Sequence, residues 1–374
     1  MGKSNNSRPW YEIDDIDELD SPALLLYEDR IASNIDKAIQ MVGHLDRLRP
    51  HVKTHKSGFV ARMMMERGIH RFKCATIAEA EMLAMNGAKD VMLAHQPYLP
   101  KIDRLIQLAI TYHQTRFSTI VDNEETAKHI GSACSKMGKS SFPVYIDLDV
   151  GMNRTGINPE KALDLALNCQ EINGIELVGL HVYDGHLRHP DISARNKACD
   201  QCFDLVKRLS AQLESQMGKK LSVVAGGSPT FPIHANRSDV ECSPGTFIFW
   251  DWGYNRILKE QPFEFAALVL TRVLSKVSHD RICLDLGHKS IASENPFPRV
   301  QLLNAPEATQ VGHSEEHLVL DVGDNSTFKV GEVYYGVPIH VCPTVALYDY
   351  GHLISQHRIK ERIKITARRR MITI

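Results

Sequence analysis

Up to residue 252 the chain alternates short runs rich in Val, Ile, Leu and Tyr with longer segments whose apolar residues recur every three or four positions. The short runs lie at residues 23–27, 48–53, 71–75, 90–94, 118–121, 143–150, 176–183 and 221–226. Between them, stripes such as Ile31, Ile35, Ala38, Ile39 and Val42, or Ala78, Met82 and Met85 closing at Gly87, have helical spacing and read as core-facing. Strands that alternate with helices build a parallel sheet, and about eight of them close a ring. The pattern therefore predicts an α/β fold, a (β/α)8 TIM-type barrel over residues 21–252, with an open doubly wound sheet as the alternative.

After residue 252 the helical period fades. Residues 265–277, 281–285, 317–322 and 333–341 read as strands separated by turns, so a smaller, mostly β domain is expected over 253–374. The polar, proline-bearing residues 1–20 either pack with that domain or stay loose. The basic stretch 358–370 interleaves its charges with Ile359, Ile363 and Ile365, the pattern of an exposed strand rather than of a binding arm.

Charge then removes whole classes of partner. Lys plus Arg number 44 against 45 Asp plus Glu, a net charge of -1, too balanced for a chain that grips phosphate backbones, so no nucleic acid is expected. No apolar run is long enough to span a bilayer and the start is polar, so no membrane is expected and the location should be cytoplasmic. Eight scattered cysteines fit reduced thiols. The pair Cys199-x-x-Cys202 lies inside a helical run at 193–217 with no second pair nearby, and reads as core.

In a closed parallel barrel the reactive groups sit at the carboxyl ends of the strands. The second run ends in Arg49-Pro50-His51-Val52-Lys53-Thr54-His55-Lys56, and alternation places Lys53 on the strand. Desolvation there can leave its amine neutral and nucleophilic toward a carbonyl; the plain alternative is a lysine that reaches water. The eighth run leads into Gly226-Gly227-Ser228-Pro229-Thr230, and Ser243-Pro244-Gly245-Thr246 forms a second glycine turn. Glycines let neighbouring N–H groups point at one anion, and the loops after the last two strands are where barrels hold phosphate. An ordinary turn is the other reading. A lysine and a phosphate cradle at one mouth suggest pyridoxal 5'-phosphate, whose aldehyde needs the first and whose phosphate needs the second.

Three further groups belong to this picture. The segment from Asp147 to Gly156 brings Arg154 to the same face, where it can donate to the cofactor's phenolate oxygen. His181 and Tyr183 share one side of their run and can face the pyridine ring. In the second domain, His340 and Cys342 stand two apart on an expected strand, so imidazole and sulfur can converge on one divalent ion. Zinc suits an N,S pair, with manganese or magnesium as further candidates; the alternative is a buried pair without metal.

Together these stretches resemble the D-threonine aldolase and D-serine dehydratase family, pyridoxal-phosphate enzymes that share the alanine racemase-type barrel. The carriers are Leu19-Asp20-Ser21-Pro22, residues 49–56, residues 149–156, Gly226-Gly227-Ser228, Ser243-Pro244-Gly245-Thr246, Glu315-Glu316-His317 and His340-Val341-Cys342. The resemblance implies that Lys53 is joined to the cofactor, that Gly226, Gly227 and Ser228 hold its phosphate, and that Arg154 lies near its oxygen. It also implies that His340 and Cys342 bind a divalent ion beside a substrate β-hydroxyl, and that the chain is a homodimer. His-x-Cys is similar to the dehydratases, whereas Pro343-Thr344, Leu347-Tyr348-Asp349 and Tyr183-x-Gly185 are similar to the aldolases. His181 matches neither branch's usual residue.

The expected activity is a lyase acting on a small D-β-hydroxy amino acid. Cleavage of Cα–Cβ would give glycine and an aldehyde, whereas loss of the β-hydroxyl would give a keto acid and ammonia. Aldolase chemistry is the first expectation, dehydration the second. Racemisation and a non-catalytic cofactor carrier stand further off: the first is opposed by the His-x-Cys pair, the second by the large second domain.

Overall fold

In a computed structural model, which describes residues 8–374, the β-branched runs pair as the pattern predicts. The polar residues 1–7 lie outside the described residues. Seven strands form a parallel sheet in chain order: Arg71–Cys74, Asp90–Leu93, Arg116–Val121, Phe142–Leu148, Ile175–Val182, Ser222–Ala225 and Val240–Cys242. The segment 48–52 joins its two edges. Leu48 bridges Cys242 and His51 bridges Lys73, both parallel; the N–H groups of Arg49 and His51 donate to the carbonyls of Cys242 and Pro244, and that of Val52 to Lys73. Pro50 has no N–H to give, and the chain turns directly after it, so this eighth member is a row of bridges rather than a regular strand. The ring is closed, and the doubly wound alternative falls.

One strand was counted on the wrong side. Ala23–Tyr27 is not a barrel strand: it pairs parallel with Tyr350–Ser355 and antiparallel with Ala267–Ser278 in the other sheet. Its five buried residues followed by the helix Glu28–Val42 imitate a strand-helix unit. The place it seemed to fill belongs to Val240–Cys242, whose three residues are too few to show a period.

The described residues divide into two units. One contains the barrel, as Ile35–Phe247, Arg256–Phe263 and Thr366–Ile374; the other takes the residues up to Asn34, Ile248–Asn255 and Glu264–Ile365. Barrel helices begin where a side chain can satisfy an orphan N–H: Thr76 accepts from Glu79, Asn123 from Thr126 and Asp191 from Ala194. The lumen is packed by Met92, Ile120, Tyr145 and Val224. Below them Arg49, almost fully buried, pairs with Asp90 at 2.5 Å and Glu241 at 2.8 Å.

The second unit is built on a mixed nine-stranded sheet around the long strand Ala267–Ser278. Alternation along that strand sends Val269 and Val273 into one apolar cluster with Leu284, Leu318 and Tyr334, and Leu268 and Leu270 into another with Leu25, Tyr335 and Ile354. Ile13 and Leu19 belong to the second cluster, so the stretch before Ser21 packs on this sheet. The basic tail forms Arg358–Lys364, paired antiparallel with Tyr350–Ser355 and mostly exposed. No helix among the described residues is long and apolar enough to cross a membrane.

Candidate active site

Lys53 follows the barrel's first member by one residue, on a turn rather than on the strand itself, and its N–H donates to His51 Nδ1 at 3.3 Å. The motif around it divides into two jobs. His55 and Lys56 are structural: His55 Nδ1 accepts from the Ser57 N–H at 3.1 Å, and the Lys56 amine pairs with the buried Glu79 carboxylate. Burial, and then the charges of Lys53, Lys73 and Lys56, hold the His51 imidazole well below its usual range, so it is neutral.

One glycine turn meets this segment, and the other meets the first. A Cβ on Gly245 would lie 3.0 Å from the His51 carbonyl and 3.3 Å from Thr54 Oγ1. The Thr246 N–H donates to the buried Ser228 hydroxyl at 3.1 Å, tying the turn after Val240–Cys242 to the turn after Ser222–Ala225. Gly226 has φ +81°, and a Cβ there would meet His234 at 2.6 Å. A Cβ on Gly227 would come within 3.0 Å of the Tyr183 ring. These are cradles that any side chain would fill, at the place where barrels take a phosphate, and they fit that group.

Tyr183 lies over Gly227, and the exposed Arg154 guanidinium stands 4.9 Å from its ring centre. The loop that carries Arg154 is fixed by Asp149, whose carboxylate accepts from the N–H groups of Gly151 and Asn153, each at 3.0 Å. His181 shares the inward side of its strand pair with Val224. Its Nδ1 is 2.7 Å from Asp147, and its Nε2 is 3.5 Å from the amine of Lys73. Burial lowers the His181 pKa although Asp147 works against it. The neutral ring therefore carries its proton on Nδ1, toward the carboxylate.

Lys73 was not singled out in the sequence. Its signal was parity: Lys73 stands in parallel register with Met92, which packs the lumen, so Lys73 points inward between Phe72 and Cys74. It is only 2% exposed, and burial followed by the charge of Lys53 pushes it down to about 7.

Beneath the Gly226 turn, Asp184, Cys199 and His234 form a buried set that could hold a metal ion. Their hydrogen bonds give another account. Asp184 accepts from Thr230 at 2.7 Å and pairs with His234 Nε2 at 2.8 Å, while Arg237 reaches His234 Nδ1 at 2.6 Å and Cys199 Sγ at 3.5 Å. A guanidinium against both other members opposes a cation, and burial raises the Cys199 thiol to about 12. This network buttresses the turn. Cys202 takes no part in it.

His340 and Cys342 do converge, by a different route from the one expected. The strand ends at Pro338, His340 caps the short helix Val341–Val345, and Cys342 is that helix's second residue. The corner is pinned by Asp251, which accepts from the Val341 N–H at 3.2 Å. Glu294 holds His340 Nδ1 at 2.5 Å, the arrangement by which a carboxylate orients a metal-binding imidazole. Burial disfavours a charged His340, but hydrogen bonding to Cys342, then Glu294 and the charge of Asp251, raise it to about 9. An imidazole and a sulfur oriented together are a donor set that fits a borderline-soft divalent ion.

The model of the alanine racemase N-terminal domain matches residues 27–251, and a serine dehydratase domain model matches residues 266–354. The chain belongs to the alanine racemase-barrel family, in the branch of the D-threonine aldolases and D-serine dehydratases. It is accordingly a pyridoxal-phosphate-dependent lyase. It is 28% identical to the D-threonine aldolase of an Arthrobacter species over 95% of this chain and 94% of that one. It is 25% identical to the D-threo-3-hydroxyaspartate dehydratase of a Delftia species, over 88% and 93%. The crystal structure of D-threonine aldolase from Filomicrobium marinum is similar with a TM-score of 0.87, at 26% identity over 94% of this chain and 96% of that one.

Proposed function

We propose that this lyase acts on a D-β-hydroxy amino acid and cleaves its Cα–Cβ bond, releasing glycine and an aldehyde as a D-threonine aldolase does. The observation that carries the reading is the meeting of three segments in the barrel unit: the Lys53 turn, the Gly245 turn and the Gly226 turn. Similarity along nearly the whole of two D-threonine aldolases supports the choice of reaction.

When bound, pyridoxal phosphate supplies an electron sink for the charge left on Cα as a bond to it breaks. The protein's part is to hold and aim. Lys53 would hold the cofactor through its amine, the aldehyde oxygen leaving as water, and its Nζ would move protons there. The turns at Gly226, Gly227 and Ser228 and at Gly245 and Thr246 would cradle the phosphate, the N–H of Gly226 being spent on Val182 and that of Thr246 on Ser228. Arg154, braced on Tyr183, would serve the phenolic oxygen, and His181, held by Asp147, would serve the ring. His340 and Cys342 would hold the divalent ion, with zinc as the first candidate, and such an ion would supply Lewis-acid chemistry at the β-hydroxyl. A homodimer is the working assembly.

Dehydration is the second reading, favoured by the His340-x-Cys342 pair and by the serine dehydratase domain match at residues 266–354. Incubation with D-threonine, pyridoxal phosphate and a divalent ion separates the two. Glycine with acetaldehyde supports the aldolase; 2-oxobutanoate with ammonia overturns it in favour of the dehydratase.

A further inference from the structure

The helix Ile77–Met85, which follows the strand of Lys73, has almost no side left to water. Its residues from Ile77 to Leu83 are all buried, two glutamates among them, whereas a barrel helix usually packs one stripe and wets the other. The stretch Thr366–Ile374, last in the barrel unit, packs against this helix. The two glutamates stand two apart and so face different ways. Glu79 pairs with the ammonium of Lys56 and accepts from the Ala75 N–H at 2.6 Å. Glu81 accepts from the Thr373 N–H at 3.1 and 3.2 Å, from the Thr373 hydroxyl, and from the Ile374 N–H at 3.4 Å. On the next helix, Leu99–Thr111, Arg104 donates to the carbonyls of Arg370 at 3.3 Å and Ile374 at 2.6 Å. A fully buried carboxylate filled by one short stretch of chain is a catch for that stretch, because releasing it strands the charge.

The other end of the stretch touches the turn that carries Lys53. The N–H of buried Ala367 donates to the carbonyl of Lys56 at 3.0 Å. Lys56 has φ +50°, a left-handed conformation that a lysine keeps only when its surroundings hold it. Its own N–H closes on the Val52 carbonyl at 2.9 Å, and Lys53 lies inside the loop so formed. Lys56 is therefore gripped twice, through its ammonium by Glu79 and through its carbonyl by Ala367, and both grips lead back to the helix Ile77–Met85. Resting on the assignment of Lys53 above, we infer that Thr366–Ile374 is a strap that sets the Lys53 turn for the cofactor, with Glu81 the positioning residue that latches it.

The test uses the full-length chain freed of cofactor. Thr373→Pro removes both donors that Glu81 takes from Thr373, Glu81→Gln turns one acceptor oxygen into a donor against them, and Thr373→Ser keeps the pair. Hydrogen exchange is read by mass on peptides spanning 52–57 and 366–374, and affinity for pyridoxal phosphate by absorbance. In Thr373→Pro and Glu81→Gln both peptides should exchange about tenfold faster and the dissociation constant should rise about tenfold, the scale of one lost hydrogen bond to a charge. Thr373→Ser should match the unaltered chain. A merely structural role would lower the unfolding temperature while exchange at 52–57 and the affinity stayed as they were, and that result overturns the strap. Unchanged exchange at 366–374 overturns Glu81 as its latch. Borohydride reduction keeps the two readings apart: label on Lys53 at saturating cofactor leaves that assignment intact whatever the strap does, and no label there in the unaltered chain overturns both.

Discussion

The backbone N–H of Thr246 donates to the hydroxyl of Ser228 at 3.1 Å, and this bond joins the two loops that follow the last two barrel strands. It makes one floor of two turns. Between them they supply the small residues that let backbone approach an anion, and Gly227 is the glycine of these turns that Tyr183 crowds.

Gly227→Ala should therefore weaken cofactor binding without unfolding the barrel. The added Cβ would meet the Tyr183 ring at 3.0 Å, so either the ring or the loop must move. A roughly tenfold rise in the dissociation constant for pyridoxal phosphate is expected, equivalent to about 1.4 kcal/mol. Equilibrium titration followed by absorbance reads it directly, and unchanged affinity would show that the turn does not hold the phosphate.

Glu294 offers a test of the metal pair that touches neither ligand. Its carboxylate fixes His340 through Nδ1 and leaves Nε2 for an ion. Glu294→Gln should lower the affinity for zinc by about ten- to a hundredfold, the usual cost of losing such an orienting partner. Competition against a chromophoric chelator measures it. Equal affinity in both proteins would mean that His340 needs no orientation, or binds no metal.

Lys73 also predicts how stability follows pH. Its folded pKa, about 7, lies below the unfolded value near 10.4, so between those limits the unfolded chain binds more protons. Stability from this group must rise as pH climbs from about 7 toward 10 and stay low beneath that window. Lys73→Met removes the penalty, so it should raise the unfolding temperature more at neutral pH than at the alkaline end. Calorimetry at both pH values checks the difference, and the opposite order would contradict the burial of this amine.

At the other end of the barrel, Arg49→Met should cost about 3–5 kcal/mol, because it takes the buried cation from Asp90 and Glu241 and leaves them only the more exposed Arg116 at 3.9 Å and Arg71 at 3.2 Å. Denaturant unfolding gives the value. A loss below about 1 kcal/mol would place these groups among weak surface pairs.

Most of this architecture was legible in the amino-acid pattern, though partly through an error that cancelled. Ala23–Tyr27 was credited to the barrel and Val240–Cys242 was missed, so the count of eight was right with the wrong membership. Five buried residues before an amphipathic helix look the same in either sheet; only long-range pairing separates them. Gly226, Gly227 and Gly245 were readable because close approach demands glycine, and Lys53 because its neighbours alternate. Lys73 escaped because a lysine in a strand usually faces water, and the parity that turns it inward is visible only once the outward face is known. His340 and Cys342 were paired for a reason that does not apply, since a cap and the first turn of a helix bring them together, not strand alternation. The orienting roles of Glu294 and Asp147 come from residues distant in sequence and left no local trace.

The central claim is that the amine of Lys53 carries the cofactor beside the joined glycine turns. A crystal structure of the chain loaded with pyridoxal phosphate tests it most directly. The account predicts continuous density from Lys53 Nζ to the pyridine ring, with the phosphate against Gly226, Gly227, Ser228 and Thr246. Density joined instead to Lys73 or another lysine, or a phosphate lodged away from those turns, would contradict it.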